Sequence, residues 1–102
     1  VYKRQELRYV PVDTEKFTLD YDAMEIAIEG ASLVCVGHVS NVLGVRNDIE
    51  RVIQMARSQG ARIAIDSAQG APHEKIKFDD LGADFLSVAA HKMAGPTGIG
   101  VY

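Results

Sequence analysis

Apolar residues recur along this chain in two rhythms. Leu7-Arg8-Tyr9-Val10-Pro11-Val12 alternates and is rich in β-formers, which predicts a strand over 7–12. Pro11 points to an edge position or to the strand's end. Leu19, Met24, Ile26 and Ile28 stand among polar residues and predict a short helix over 19–29, capped by Asp20 or Asp22 and stopped by Gly30. Ile49, Val52, Ile53 and Ala56 recur at helical spacing, the stripe of an amphipathic helix over 48–59, with Asp48 as cap and Gly60 as stop. Short apolar runs at 32–37, 62–65, 85–88 and 98–102 read as further strands. Strands that alternate with helices imply an α/β fold: a mostly parallel sheet covered by helices on both faces, in three layers. The segment 70–79 is the longest irregular stretch. No linker or repeat divides the chain, so residues 1–102 are expected to form part of one domain.

Composition narrows the classes. Of the 102 residues, 47% are hydrophobic and 25% charged, which are globular proportions. The net charge of −3 argues against a nucleic-acid partner. The apolar runs are far too short to cross a bilayer, no signal peptide is visible, and a single unpaired cysteine makes a cytoplasmic location the expectation. The single cysteine, Cys35, lies in Leu33-Val34-Cys35-Val36 and is expected to be a structural interior residue rather than a reactive thiol. The chain opens at Val1 without a Met and stops at Tyr102 as a strand begins. It reads as the middle of a larger protein.

Ligands of open α/β sheets bind beyond the carboxyl ends of the strands, so the segment after each apolar run is the place to look. His38-Val39-Ser40-Asn41 comes after the first, Asp66-Ser67-Ala68-Gln69 after the second, and Ala89-Ala90-His91-Lys92 with Gly95-Pro96-Thr97-Gly98 after the third. Taken singly, each has an ordinary reading. Asp66 and Asn41 suit turns, His38 and His91 suit structural histidines, Gln69 suits solvent, and Lys92 suits the surface. Together they deliver polar groups to one sheet edge. A lysine between an apolar strand and a glycine-rich turn is expected to be partly buried, a setting that suits a nucleophile better than a solvated surface cation. An Asp, an Asn, a Gln, a His and a Lys without a metal-ligand set match what pyridoxal phosphate requires. A carboxylate keeps the ring nitrogen protonated, a lysine takes the aldehyde, and amide and imidazole donors meet the phenolic oxygen and the phosphate.

The runs His38-Val39-Ser40-Asn41-Val42-Leu43-Gly44, Asp66-Ser67-Ala68-Gln69 and His91-Lys92-Met93-Ala94-Gly95-Pro96-Thr97-Gly98-Ile99-Gly100 resemble those of the class V aminotransferases, which are fold-type I pyridoxal-phosphate enzymes. The resemblance is strongest to the cysteine desulfurase and selenocysteine lyase branch and covers essentially the whole chain. It implies the large cofactor-binding domain, with Lys92 as the Schiff-base lysine and catalytic residue. By the same resemblance Asp66 pairs with the pyridinium nitrogen, Gln69 with the phenolic oxygen and His91 with the phosphate. Asn41 lies near the phenolic oxygen or the substrate carboxylate. The implied reaction takes L-cysteine to L-alanine and leaves the sulfur on an enzyme cysteine. It is tied to iron–sulfur cluster assembly, a homodimer and a sulfur-acceptor protein.

This chain departs from the family pattern in three places. Ala89 stands where the family usually has a phosphate-binding Ser, Ser67 where it more often has Gly, and Ala94 where it has a bulky residue. The family's ring-stacking His belongs upstream of this segment, and its nucleophilic Cys and carboxylate-binding Arg belong downstream. The expectation is a segment that is inactive alone, from an active parent. The alternatives are another class V aminotransferase or lyase, or a non-catalytic truncated relative. A dinucleotide-binding domain is a weaker alternative, because Gly95, Gly98 and Gly100 lead into a strand rather than a helix.

Overall fold

The computed structural model describes residues 4–102. The first three residues of the expected 1–102 unit lie outside the described residues. A four-stranded sheet forms the centre, and its strands are preceded by a two-stranded hairpin. The hairpin strands are β1 (Val12–Asp13) and β2 (Thr18–Leu19), with Val12 opposite Leu19. The sheet runs in the order β3 (Leu33–Gly37), β4 (Arg62–Asp66), β5 (Phe85–Ala89) and β6 (Gly100–Val101). The first three strands are parallel, and β6 returns antiparallel beside β5.

Two helices form as their patterns predict. α1 spans Tyr21–Ile28, and of the two candidate caps it is Asp20 whose carboxylate accepts from the backbone N–H of Asp22 and Ala23. α2 spans Ile49–Ser58, with the Asp48 carboxylate accepting from Arg51 N at 3.0 Å. Each cap satisfies donors that the first helical turn leaves without intrahelical partners. Gly30 and Gly60 come after the helices with φ of +67° and +71°, the left-handed geometry that glycine tolerates. The Tyr21 hydroxyl accepts from Asp48 N at 2.8 Å, and the Arg51 guanidinium lies over the Tyr21 ring, so the two helix starts are joined.

The core lies between these helices and one face of the sheet. Met24 and Ile28 of α1 and Ile49, Val52, Ile53 and Ala56 of α2 pack with Val34, Val36, Ile63 and Ile65 of the strands. A short helix, α3 (Phe78–Leu81), adds Leu81 to the same side. Sequence pattern does not reveal this helix because a single turn is too short to show a period.

The other sheet face is open. Along β3 exposure alternates, so Val34 and Val36 are buried while Leu33, Cys35 and Gly37 face water. The described residues therefore supply two of the three expected layers. Cys35 is exposed on the open face rather than interior. A continuous apolar run carries no alternation, so the sequence could not reveal which side was covered.

The expected strand over 7–12 does not form. Residues 5–11 have no regular structure, and only Val12 is in a strand. Arg8 instead donates to the backbone carbonyls of Ala27 and Glu29 at 3.2 and 2.6 Å. Those carbonyls end α1 without intrahelical partners, and a cation suits that end of the helix. The alternation of Leu7 and Tyr9 is real, but both side chains are exposed and no strand among the described residues pairs with them.

Candidate active site

Three adjacent strands end at one edge, and most of the chemistry-bearing residues sit there. Asp66 is the last residue of β4, in register with Gly37 of β3 and Ser87 of β5. It faces the open side of the sheet. Asp66 Oδ1 accepts from Ala68 N at 2.9 Å, an Asx turn that fixes the carboxylate's direction. The Ser87 hydroxyl stands 3.4 Å from the same oxygen. Oδ2 makes no hydrogen bond to any described residue. A hollow of about 460 Å³ lies against this face, lined by Cys35, Gly37, Ala64, Asp66, Phe85 and Ser87 among others.

β5 ends at Ala89 and passes directly into a 3-10 turn, Ala90–Met93, which carries His91 and Lys92. His91 is exposed and Lys92 half-buried. The turn is closed by Gly95 N donating to Ala90 O at 2.8 Å, and it is tied to β6 through Ala90 N and Ile99 O. A Cβ on Gly95 would lie 2.9 Å from Ala90 O, so only glycine lets the chain double back so closely. Ala94 ends the turn with φ +60°.

Asn41 begins the turn after β3 and is exposed. Gly44 N donates to Ser40 O in this turn, and Leu43 N donates to the Ser40 hydroxyl. Gln69 is half-buried in the turn after Asp66. The side chains of Asn41, Gln69, His91 and Lys92 make no hydrogen bond among the described residues. The fold thus brings Asp66, Ser87 and the Lys92 turn onto neighbouring strand ends. It sets Gln69 three residues beyond Asp66, and Asn41 on the turn of the next strand along.

One cluster was not legible in the sequence as a unit. His38 is buried, with Nδ1 3.0 Å from the Ser67 hydroxyl and Nε2 3.6 Å from Glu74 Oε2. Glu74 also pairs with Arg46 at 2.9 Å. Arg46 and Glu74 come from irregular loops and obey no period, so nothing in the pattern joined them. Ser67 points opposite to Asp66, into the interior, and is wholly buried. Its side chain therefore takes no space on the open face.

The sequence of residues 2–102 matches the family described as Aminotransferase class-V. The chain belongs to this family. It is 42% identical over 95 residues to a probable cysteine desulfurase of Halalkalibacterium halodurans, covering 93% of this chain and 23% of that protein. It is 42% identical over 100 residues to a probable cysteine desulfurase of Pyrococcus abyssi, covering 97% and 25%. Among solved structures it is similar to the apo cysteine desulfurase of Thermococcus onnurineus, with a TM-score of 0.83 and 42% identity over 93% of this chain and 24% of that one. The Escherichia coli cysteine desulfurase CsdA is similar at a TM-score of 0.80 and 35% identity, covering 89% and 23%. The chain spans about a quarter of the length of these relatives. Its α/β architecture is therefore that of a class V aminotransferase on the cysteine desulfurase branch, and the fold-type I expectation holds.

Proposed function

We propose that this chain supplies the strand ends that hold pyridoxal 5'-phosphate in an enzyme of the cysteine desulfurase type. The observation that carries this reading is the state of Asp66. Its Oδ1 is engaged by Ala68 N–H while Oδ2 is uncommitted, and the carboxylate opens onto the uncovered sheet face. A carboxylate fixed through one oxygen and free at the other is set to accept a proton-bearing nitrogen.

The donor set of the chain fits the group. Asp66 Oδ2 would hold the proton of the ring nitrogen, and the Lys92 amine would bind the cofactor covalently through its carbonyl carbon. Gln69 would donate to the phenolic oxygen, His91 would meet the phosphate, and Asn41 would lie at the phenolic oxygen or the substrate carboxylate. When bound, pyridoxal phosphate supplies an electron sink for bonds at a substrate amino acid's α-carbon. Asp66 would keep that sink effective by holding the ring-nitrogen proton in place. Lys92, half-buried at the sheet edge, would move a proton at the substrate's α-carbon. With Ala89 in place of a serine, the phosphate would have one hydroxyl donor fewer. The substrate class is an amino acid, read as L-cysteine from the similarity to cysteine desulfurases, with alanine as product and the sulfur passed to an enzyme cysteine. Cys35 lies in mid-strand on the same open face as Asp66, whereas the cysteine that takes the sulfur in this reading belongs downstream of the segment. A homodimer, a sulfur-acceptor protein, a cytoplasmic location and a place in iron–sulfur cluster assembly belong to the same reading.

The test uses the full-length gene product that carries these residues. Added pyridoxal phosphate should give a visible absorbance band, and borohydride reduction with subsequent peptide mass spectrometry should find the cofactor on Lys92. Lys92→Ala should abolish both signals. A protein that stays colourless with cofactor in excess, or an adduct on another lysine, would sink the proposal.

A further inference from the structure

The buried cluster beneath Asp66 has no part in the proposed cofactor contacts, yet it grips the residues that flank the carboxylate. His38 holds the turn in two ways. Its backbone N–H donates to Asp66 O at 2.7 Å, and its ring meets the Ser67 hydroxyl at 3.0 Å. Beyond the ring stands Glu74, itself paired with Arg46, so the loop after β3 and the loop after β4 are tied together. The Ser67 hydroxyl and Nδ1 share one hydrogen bond, whose direction follows the ring's tautomer, and Nε2 faces the Glu74 carboxylate at 3.6 Å. Gly70 seals the cluster, since a Cβ there would overlap His38 Nδ1 and fall 2.7 Å from Ser67 Oγ.

Serine, histidine and glutamate in this order would suit acyl transfer on paper. Ser67 has 0% exposure beneath Gly70, so no acyl group reaches its hydroxyl. The cluster acts on its neighbours instead.

We infer that Ser67, His38 and Glu74 are positioning residues that aim the Asp66 carboxylate, an inference that rests on the proposed cofactor role of Asp66. Ser67 adds to the turn a side-chain hydrogen bond that a glycine there cannot make. Because the Ser67 backbone N–H also donates to Ser87 O at 2.9 Å, the residue is held from both sides of β4. A turn held this way favours the Asp66 setting in which Oδ1 meets Ala68 N–H.

Three variants of the full-length gene product, Ser67→Gly, Ser67→Ala and Glu74→Gln, test this with two ligands. One is pyridoxal phosphate, and the other is its analogue with carbon in place of the ring nitrogen. A group acting through Asp66 matters only where there is a ring nitrogen to meet. The Kd for pyridoxal phosphate should rise about three- to tenfold in the Ser67 variants, the size of one buried hydrogen bond, while the Kd for the carbon analogue stays put. In the cofactor-free protein the Ala68 amide, whose acceptor is Asp66 Oδ1, should exchange faster in the same variants. Equal weakening of both ligands would mark the cluster as merely structural and overturn the inference, as would unchanged binding with unchanged Ala68 exchange. Glu74→Gln keeps the side chain's shape, so it serves if the Ser67 variants fold poorly, and the same pattern is expected of it. If the unaltered protein binds neither ligand, it is the cofactor reading that fails. Ala68 exchange then decides the inference alone: faster exchange upholds the aiming of Asp66, and unchanged exchange overturns it.

Discussion

Ser87 and Asp66 stand side by side on β5 and β4, with the serine hydroxyl 3.4 Å from Asp66 Oδ1. That oxygen already accepts the shorter bond from Ala68 N–H, so the contact with Ser87 is a weak second one. The division of labour between the two carboxylate oxygens makes Asp66 sensitive to an isosteric change. Asp66→Asn preserves the turn's shape but removes the charge on Oδ2. Loss of a charge-assisted hydrogen bond should weaken pyridoxal phosphate binding about ten- to a hundredfold. A titration of the full-length gene product, read by visible absorbance, measures it. Binding as tight as in the unaltered protein would remove Asp66 from the proposed site.

Gly70 should tolerate no side chain. An added methyl group would overlap His38 Nδ1 and Ser67 Oγ, both buried and with little room to move. Gly70→Ala is expected to lower stability by about 1–3 kcal/mol, the usual cost of overpacking. The urea midpoint against that of the unaltered protein reads the loss. A midpoint that does not move would mean the turn is looser than these contacts imply.

The middle of the core should respond more strongly. Ile63 is wholly buried near the start of β4, the strand that pairs with β3 and β5 and packs against α2. Ile63→Ala should cost about 2–5 kcal/mol through lost transfer energy and the cavity left behind. Chemical denaturation with an unchanged slope would confirm a loss of stability rather than a change of mechanism.

Asp84 should add to the acid sensitivity of the fold. Its carboxylate accepts from Ile63 N at 2.7 Å and pairs with Arg57 at 3.2 Å. The Ile63 N–H first, and then the Arg57 guanidinium, hold its pKa below the ordinary range of an aspartate. A depressed carboxylate pKa in the folded state adds stability above the unfolded value and loses it as pH falls through the folded one. The contribution should therefore be complete at neutral pH and disappear below about pH 4. Asp84→Asn should flatten the acid side of a stability-against-pH curve. An unchanged acid slope would show that other carboxylates govern it.

Much of the fold is legible in the sequence. The helices over 21–28 and 49–58 are legible from period and from caps that answer definite orphan donors, and the strands over 33–37, 62–66 and 85–89 from their short apolar runs. The grouping of Asp66 and Lys92 at one edge is legible from strand order alone. The features that escape are decided by neighbours rather than by local pattern. The alternating run 7–12 has the composition of a strand but finds no pairing partner, and Arg8 draws it across the end of α1. Cys35 reads as interior because an all-apolar run hides which side is covered. The grip of His38 on Ser67 joins residues far apart in sequence, where no spacing rule applies.

The one-sided sheet bears on the strength of Asp66's charge. On an uncovered face the carboxylate is bathed in water, where the attraction between unit charges 4 Å apart is about 1 kcal/mol. Any layer laid over that face acts as insulation. It strips water from the same carboxylate, and the same pairing then grows to about 4 kcal/mol in the weaker screening typical near a protein surface. The grip of Asp66 on a cation is thus set less by its own turn than by what lies across the sheet from it.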